Sequence, residues 1–349
     1  MFTISVCMIV KNESETLSQI LSSAEKFANE IIVVDTGSSD NTVEIAKKFG
    51  CKIFSYPWDN NFSNARNFSF SKATCDYQMW LDADDFIDEK NIQKILNLKK
   101  LSSQNDAFMM KYLTGFDEND TPTLVYWRER LLKRESNFLW QGFVHEVIAP
   151  CGQIQYTDIE IEHRKRKVTN PKRNLMLYQI ARKENHIFSA REQYYYSKEL
   201  FYNNEIYSTI KNLKKFLKME NCYAPNSLDA HKTLCKCYII QNEIDKAENI
   251  LLSCIKKHSP TREIMCLFGQ INDMKKQFEK AILCYNLVFS LPKDTFGFIS
   301  TIHNEVVPHI ELSKLYYQTG QYEKAKEHHK KAKKLAPKHP AVLFNDKFF

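Results

Sequence analysis

Glycine is scarce in this chain, with eight residues in 349. Folds built only from strands need many tight turns, and glycine is the residue that most readily supplies their positive φ angles. The scarcity therefore argues against an all-β sandwich. A hydrophobic content of 43% is ordinary for a globular protein and is ample for a buried core. The length favours two domains rather than one.

Long apolar segments are also missing. No apolar run approaches the ~20 residues that are needed to span a bilayer, so we expect no transmembrane helix. The N-terminus has no basic region and no small-residue cleavage site beside the strand-like Ile4–Val10, so we expect no signal peptide. These features predict a cytoplasmic protein.

Cysteine is present without a pattern that suggests pairing. The ten cysteines are scattered, and most fall inside apolar periodic segments, where free cysteine acts as a small hydrophobic residue. Cys235 and Cys237 form a C-x-C on a predicted helix, but no second pair lies at the spacing of a zinc site. We therefore expect neither a disulfide nor a zinc site there, which fits a reducing cytoplasm.

The net charge of +7 comes largely from two stretches. One holds His163–Lys167 and Lys172-Arg173, and the other is the lysine-rich segment 324–338. A basic cluster can meet nucleic acid or the diphosphate of a nucleotide sugar. The second stretch is better explained as a solvated helix face. The first is denser and lies at a predicted domain junction, but it carries no nucleic-acid motif, so we expect no nucleic-acid partner.

The two halves of the chain differ in periodicity. Residues 1–160 alternate apolar runs with helical patterns. The runs are 4–10, 31–34, 52–56 and 77–81, and the helical patterns are 13–27, 42–49 and 64–73. This alternation predicts βαβ units and a mainly parallel sheet. Ligands bind such sheets at the carboxyl ends of the strands, which would place Asp35 and Asp82 on one edge.

Residues 170–349 are predicted to be helical and contain an internal repeat. The segment Glu243–Ala247 is echoed at 277–281 and 321–325, with a looser copy at 204–208. Each copy precedes an apolar helix face, and its small residue would let antiparallel helices approach closely. The repeat resembles tetratricopeptide repeats, whose stacked helix pairs form a concave surface that often binds peptide. A plain helical bundle is the alternative.

Three carboxylates lie within four residues directly after the apolar run 77–81. Asp82, Asp84 and Asp85 would repel one another without a cation or hydrogen-bond donors beside them. A D-x-D pair at the end of a buried strand can hold Mg²⁺ or Mn²⁺ against the phosphates of a ligand. The alternative is an acidic turn that caps the next helix. Asp35 ends another strand, and Gly37 permits a turn with positive φ.

Four motifs in this order resemble those of family 2 glycosyltransferases. They are Cys7–Glu13, Val34–Asp40, Phe62–Asn67 and Leu81–Asp85. Trp140–Glu146 and Ile161–His163 match two further motifs of a bacterial subgroup, which includes glycocin S-glycosyltransferases and flagellin-modifying enzymes. Members of that subgroup have an α/β GT-A catalytic domain followed by tetratricopeptide-like helices. The resemblance implies a catalytic domain over 1–168 and an all-α repeat domain over 169–349.

The resemblance also implies roles for single residues. Asp84 and His163 would bind the metal. Glu146 would be the general base and His145 the second candidate, with a structural Glu–Arg pair as the alternative. Residues that would contact the nucleotide sugar are Val10, Asn12, Glu13, Asp35, Gly37, Arg66, Asp82 and Ala83.

Two positions depart from the family pattern. Thr36 stands where many members have a second aspartate, which leaves the contact to the base undefined. Arg164 follows His163 where the subgroup often has a small residue, so the diphosphate side would be unusually cationic.

The activity that the resemblance implies is an inverting, metal-dependent transfer of a hexose from a UDP-sugar. The hexose would be glucose or N-acetylglucosamine, and the cofactor Mn²⁺ or Mg²⁺. The acceptor would be a Ser or Thr hydroxyl or a Cys thiol of a peptide or protein, presented by the helical half. The resemblance leaves open whether the protein forms a homodimer. The alternatives are transfer to a lipopolysaccharide or cell-wall glycan, and a repeat scaffold without catalysis.

Overall fold

The structure is a computed structural model that describes residues 1–101, 104–116, 120–164, 170–220, 222–293 and 299–349. The chain splits into two compact units. The first comprises Met1–Gly115 and Val125–Asn185, and the second comprises Phe116–Leu124 and His186–Phe349. An α/β unit is thus followed by a mainly helical one, as predicted. The domain boundary at 168/169 stays a prediction.

Eight of the described strands form a continuous path through one mixed sheet. They are β1 (Ile4–Val10), β2 (Glu30–Asp35), β3 (Lys52–Ser55), β4 (Tyr77–Trp80), β5 (Asp85–Phe86), β6 (Ala107–Phe116), β7 (Pro122–Lys133) and β8 (Ile154–His163). Their order is β3-β2-β1-β4-β7-β6-β8-β5. The first four are parallel, and β7 joins β4 in the antiparallel direction.

Helices cover the central strands of this sheet. Those of the first unit are α1 (Leu17–Ala24), α2 (Thr42–Lys48), α3 (Phe62–Ser71), α4 (Glu89–Lys100) and α5 (Arg173–Lys183), with a 3₁₀ turn at Arg134–Ser136. Strand β1 is apolar along nearly its whole length because both of its faces are covered. Its Met8 joins one hydrophobic cluster, and its Cys7 joins a second cluster with Trp80.

The parallel strands bring three polar chain segments to one edge of the sheet. In the register of the sheet, Val10 lies beside Asp35 and Cys7 lies beside Trp80. The residues that follow β1, β2 and β4 therefore leave the sheet on the same side. This edge holds the loop after Val10, the turn after Asp35 and the acidic turn that begins at Asp82.

The second unit consists mainly of paired helices. They are α6 (Ala190–Tyr202), α7 (Ile206–Phe216), α8 (Ala224–Ile240), α9 (Ile244–Ile255), α10 (Arg262–Met274), α11 (Phe278–Ser290), α12 (Val306–Gln318), α13 (Tyr322–Leu335) and α14 (Pro340–Asn345). A two-residue strand, β9 (Ile299–Ser300), and a 3₁₀ turn at Thr301–His303 precede α12. No helix among the described residues is both long enough and apolar enough to cross a membrane.

The repeated segments begin the second helix of successive pairs. Their capping residues Glu243, Gln277 and Gln321 share nearly one backbone conformation, with φ between −92° and −90° and ψ between 60° and 67°. The alanine four residues after each cap is fully buried. A small residue at that place lets the paired helices pack closely, which agrees with the predicted repeat.

Candidate functional site

The acidic turn after β4 is anchored by its third carboxylate. The Asp85 side chain is fully buried. It accepts hydrogen bonds from the Tyr112 hydroxyl at 2.9 Å, from the Arg130 guanidinium at 2.9 Å and from the Asp82 backbone N–H at 3.0 Å. Asp85 is therefore mainly a structural group that fixes the turn and directs the other two carboxylates.

His163 lies beside this turn because of strand pairing. Strand β5 is antiparallel to β8, with Asp85 opposite His163, and the Arg164 N–H donates to the Asp84 carbonyl oxygen at 2.9 Å. His163 Nδ1 lies 3.3 Å from Asp84 Oδ1 and 3.3 Å from Asp85 Oδ1. The pairing thus joins two predicted site residues that are far apart in the sequence.

The charges of this cluster alter the pKa values of its members. Burial raises the pKa of Asp84 to about 6; Asp82 and Asp85 add to the rise and His163 opposes it. Burial alone would lower the pKa of His163, but its hydrogen bond to Asp85 and its closeness to Asp84 raise that pKa overall. Negative charge is therefore in excess at the turn.

The donor atoms of this cluster fit a divalent cation. Asp82, Asp85 and His163 each offer an atom within 4.8 Å of the others, the only such group in the part of the chain that the structure describes. Asp84 Oδ1, only 3.3 Å from His163 Nδ1, adds a further donor, whereas the Asp85 oxygens are already engaged. Carboxylate oxygens with one imidazole suit Mn²⁺.

A count of the linked side chains shows the same excess. Three buried or half-buried arginines face five carboxylates, which leaves two negative charges when His163 is neutral. The arginines are Arg66, Arg128 and Arg130, and the carboxylates are Asp82, Asp84, Asp85, Glu129 and Glu146. One divalent cation would balance this excess.

Arg66 links the acidic turn to the 140–147 segment. Its Nη2 donates to Asp82 Oδ1 at 2.8 Å, and its Nε donates to Glu146 Oε1 at 2.7 Å. The guanidinium lies 5.1 Å from the Trp80 ring centroid and 4.8 Å from that of Trp140. Burial would raise the pKa of Asp82, but Arg66, followed by Arg130 and His163, holds it well below its usual range.

Helix α3 holds the segment that carries His145 and Glu146. The Phe62 N–H donates to the Phe143 carbonyl oxygen at 3.0 Å, and the Trp140 N–H donates to Asn67 Oδ1 at 2.9 Å. His145 has a left-handed backbone with φ of 51°, and Glu146 follows it directly. The two candidate bases therefore sit in one tight turn, and Glu146 forms the Glu–Arg pair that the sequence left as an alternative.

The loops after β1 and β2 are joined by hydrogen bonds. Asp35 accepts from the N–H groups of Gly37 and Ser38, each at 3.2 Å. Asn12, with φ of 55°, accepts from the Ser39 N–H at 2.7 Å through Oδ1. The Glu13 N–H donates to the Thr42 hydroxyl at 2.7 Å. These contacts give the edge of the sheet a fixed shape.

Two predicted contact residues lie in the core. Val10 is 2% exposed and Ala83 is 5% exposed, and both belong to one hydrophobic cluster. The Val10 carbonyl oxygen also accepts from the backbone N–H and the hydroxyl of Thr36, each at 3.0 Å. Their side chains are therefore part of the core on which the site rests. That either residue contacts a nucleotide sugar stays a prediction.

Several side chains of the site carry no sequence motif. Tyr112 comes from β6, and Arg128, Glu129 and Arg130 come from β7. Arg130 is fully buried, with its guanidinium carbon 3.5 Å from the Trp80 ring centroid. The available signal was the Arg-Glu-Arg triplet inside an apolar strand, since buried charges are rare unless they are paired. Lys165, Arg166 and Lys167, part of the predicted basic cluster, lie outside the described residues.

Comparison with known families agrees with this geometry. The model described as Glycosyl transferase family 2 matches residues 5–161, and that of the tetratricopeptide repeat matches residues 309–339. Residues 5–161 are thus similar to the family 2 glycosyltransferases. The predicted site residues lie at the carboxyl edge of the parallel strands β3-β2-β1-β4 in this matched region.

Curated relatives resemble the glycosyltransferase domain over part of their length. A TPR repeat-containing protein of Synechococcus elongatus is 34% identical over 149 residues, which is 42% of this chain and 36% of that protein. The SPbeta prophage-derived glycosyltransferase SunS of Bacillus subtilis is 32% identical over 151 residues, which is 41% of this chain and 34% of SunS. The chain therefore matches about a third of the length of each.

Solved structures show a weaker likeness. Glucosyl-3-phosphoglycerate synthase from Mycobacterium tuberculosis, in complex with Mn²⁺, UDP and glucosyl-3-phosphoglycerate, is 15% identical with a TM-score of 0.36, over 54% of this chain and 82% of that one. TarS 1–349 from S. aureus is 12% identical with a TM-score of 0.37, over 84% of this chain and 93% of that one. Likeness at this level says nothing about the reaction.

Proposed function

We propose that the protein is a cytoplasmic, inverting, metal-dependent glycosyltransferase. It would move glucose or N-acetylglucosamine from a UDP-sugar to a Ser or Thr hydroxyl or a Cys thiol of a peptide or protein. The observation that carries the proposal is the closeness of Asp84 Oδ1 and His163 Nδ1, 3.3 Å apart, inside a family 2 glycosyltransferase domain. The two residues are far apart in the sequence, and the pairing of β5 with β8 brings them together.

The nucleotide would occupy the edge formed by the loops after β1 and β2. Asn12, Glu13, Asp35 and Gly37 would shape that edge through the backbone hydrogen bonds described above. Gly37 has φ of 99° and open space where a side chain would stand, so a ligand can approach its backbone. Asp82, with a quarter of its side chain exposed, would face the ribose or metal-bound water while Arg66 holds its other side.

The leaving group is the part of the reaction that develops the most charge. Asp84 and His163 would hold the divalent cation, which would supply Lewis acidity for the departing diphosphate. The Arg66 and Arg128 guanidiniums add fixed positive charge near the turn, each stacked on the Trp80 ring at 5.1 and 4.6 Å from its centroid. Groups fixed in place before the reaction stabilise such charge best.

Glu146 is the proposed acceptor of the nucleophile's proton. Its Oε1 is bound by Arg66, and Oε2 makes no hydrogen bond to any residue that the structure describes. As the acceptor oxygen or sulfur bonds to the anomeric carbon, the bond to UDP breaks and the proton moves to Oε2. A single displacement of this kind inverts the anomeric centre. His145, in the same turn, is the alternative base.

The proposal is tested by following a labelled sugar into its acceptor. The protein is incubated with Mn²⁺, radiolabelled UDP-glucose or UDP-N-acetylglucosamine, and either a pool of Ser-, Thr- and Cys-containing peptides or a lipid extract. We expect label in the peptide fraction, and NMR of the product should show an anomeric configuration opposite to that of the donor. Label only in the lipid fraction would instead support a glycan transferase. No label and no UDP binding would indicate a scaffold without catalysis.

A further inference from the structure

The helical unit contains a cavity of about 280 Å³ between α10 and α12. Pockets that enclose whole small molecules usually measure ~300–1,000 Å³. At the lower edge of this range, the cavity has room for a single side chain of a bound polypeptide. Its walls include Gln270 and Asp273 from α10 and Glu311 and Lys314 from α12, and Tyr285 of α11 also lines it.

Tyr285 places its hydroxyl group in the cavity, where the hydroxyl has no hydrogen-bond partner among the described residues. The residue is 2% exposed and lines the cavity, and its hydroxyl makes no hydrogen bond to any residue within the described ranges. The ring lies so close to Gly269 that a Cβ on that glycine would come 2.6 Å from it. The glycine thus permits the ring to pass α10 and to present its hydroxyl to the cavity.

The preceding repeat shows that the hydroxyl is not needed for packing. There the residue four positions after the buried Ala247 is Leu251, which is fully buried in an apolar cluster. Tyr285 stands at the same distance after Ala281. An apolar side chain therefore suffices at this place in the repeat, and the hydroxyl of Tyr285 adds a polar group that a ligand could satisfy.

The ionisable groups of the cavity leave it negatively charged. Lys314 Nζ lies 2.8 Å from an Asp273 oxygen and 2.6 Å from a Glu311 oxygen, so one ammonium serves two carboxylates. Burial chiefly lowers the pKa of His303, which leaves that imidazole neutral at pH 7. Each carboxylate has about four lone-pair positions, so both can accept further hydrogen bonds.

We propose that this cavity binds an ammonium or guanidinium group, carried by a lysine or arginine side chain of the acceptor polypeptide. The cation would contact the Asp273 and Glu311 carboxylates and donate to the Tyr285 hydroxyl oxygen. An anionic side chain would meet the excess negative charge, and an apolar one would leave the hydroxyl unsatisfied. The role of this polypeptide as acceptor rests on the proposed function, whereas the binding itself does not.

The test uses the full chain and four fluorescein-labelled nonapeptides of glycine and serine. They carry arginine, lysine, norleucine or glutamate at the centre, and their affinities are measured by fluorescence anisotropy without any nucleotide sugar. We expect the arginine and lysine peptides to bind at least tenfold more tightly than the norleucine peptide, and the glutamate peptide to bind most weakly. Equal affinity for arginine and norleucine, or no binding of any peptide, would overturn the proposal.

Three variants separate recognition from folding. Tyr285→Phe should lower the affinity for the arginine peptide about fivefold, which corresponds to the loss of one hydrogen bond. The thermal unfolding midpoint should stay unchanged. Glu311→Gln should also weaken binding of the arginine peptide, and Glu323→Gln, at an exposed residue of the neighbouring helix α13, should not. An unchanged affinity in both Tyr285→Phe and Glu311→Gln would refute the site. If the wild-type protein binds the arginine and lysine peptides selectively but does not turn over any UDP-sugar, only the proposed transferase activity is refuted.

Discussion

Arg66 is the residue on which the geometry of the site most depends. It is 7% exposed, and it binds Asp82 of the acidic turn and Glu146, which follows Arg66 by 80 residues in the sequence. Breaking a buried ion pair is costly because it leaves the partner charge without compensation. Here two partners, Asp82 and Glu146, would lose their cation at once.

Replacing Arg66 with alanine should therefore destabilise the first unit strongly. We expect Arg66→Ala to lower the free energy of unfolding by at least about 3 kcal/mol. Urea unfolding followed by tryptophan fluorescence would measure it, since Trp80 and Trp140 flank the guanidinium. Arg134→Ala, at an exposed residue, is the control and should change the free energy of unfolding by less than about 1 kcal/mol. Equal effects of the two variants would show that the pairing of Arg66 is unimportant.

The role of Glu146 can be separated from its ion pair. Glu146→Gln keeps an oxygen for the Arg66 Nε but cannot take up a proton. If Glu146 is the base, kcat for transfer to a hydroxyl acceptor should fall by about 10²–10⁴, while KM for the UDP-sugar stays the same. His145→Asn is the companion variant. A normal kcat in Glu146→Gln together with a large loss in His145→Asn would assign the base to His145.

At the level of elements, the apolar runs predicted the central strands well. The run 4–10 is β1 itself, and 77–81 differs from β4 by one residue. The helix predicted over 13–27 begins only at Leu17. The reason is local: Asn12 has a left-handed backbone, and the Glu13 N–H is used to bind Thr42, so this segment joins two loops before the helix can start.

The residues that hold Asp85 could not be predicted from the sequence, because their position depends on how distant strands pair. Strand β7 lies beside β4 in a register that sets Met79 opposite Leu131, and this register brings Arg130 under the acidic turn. No local pattern fixes such a register. The sequence identified Asp84 and His163 through motifs, but Tyr112 and Arg130, which hold Asp85, follow only from the folded sheet.

The close packing of α10 on α11 gives a prediction at this scale. In Gly269→Ala the new Cβ would meet the Tyr285 ring at 2.6 Å, so the helices must shift. Although alanine favours a helix by about 1 kcal/mol, overpacking costs about 1–3 kcal/mol, and we expect a net loss of stability. Thermal unfolding would measure it. Gly269→Ala with Tyr285→Leu should recover the loss, because the preceding repeat packs a leucine there; no recovery would contradict the packing argument.

Glu263 links α8 to α10 and makes stability depend on pH. Its burial would raise its pKa, but Lys232 and then Lys236, with nitrogens 2.6 and 2.8 Å from its oxygens, lower the pKa to about 2. A lowered folded-state pKa stabilises the protein above the unfolded pKa of about 4.3, and this stability is lost as the pH falls towards 2.

The corresponding experiment compares wild type with Glu263→Gln by urea unfolding at pH 7, 4 and 2.5. We expect the variant to be less stable at pH 7 and the difference to shrink steadily towards pH 2.5. Lys246→Gln, at an exposed residue elsewhere in the repeats, serves as the control. A difference that stays constant across this range would exclude a role for the Glu263 charge.

For the whole molecule, the division into two compact units predicts two unfolding transitions. A ligand that binds one folded unit raises the stability of that unit by mass action, about 2.7 kcal/mol at one hundred times its Kd. UDP with Mn²⁺ should therefore raise the midpoint of one calorimetric transition and leave the other in place. A shift of both transitions by the same amount would show that the units unfold together.

Asp84 and His163 are the proposed metal ligands of a UDP-sugar transferase. The most direct test measures UDP release from UDP-glucose and UDP-N-acetylglucosamine, with Mn²⁺ or with a chelator, for wild type, Asp84→Asn, His163→Ala and the exposed control Asp158→Asn. We predict release from at least one donor that requires the metal, is lost in the first two variants and is retained in the control. Release that survives both chelation and Asp84→Asn would contradict this account.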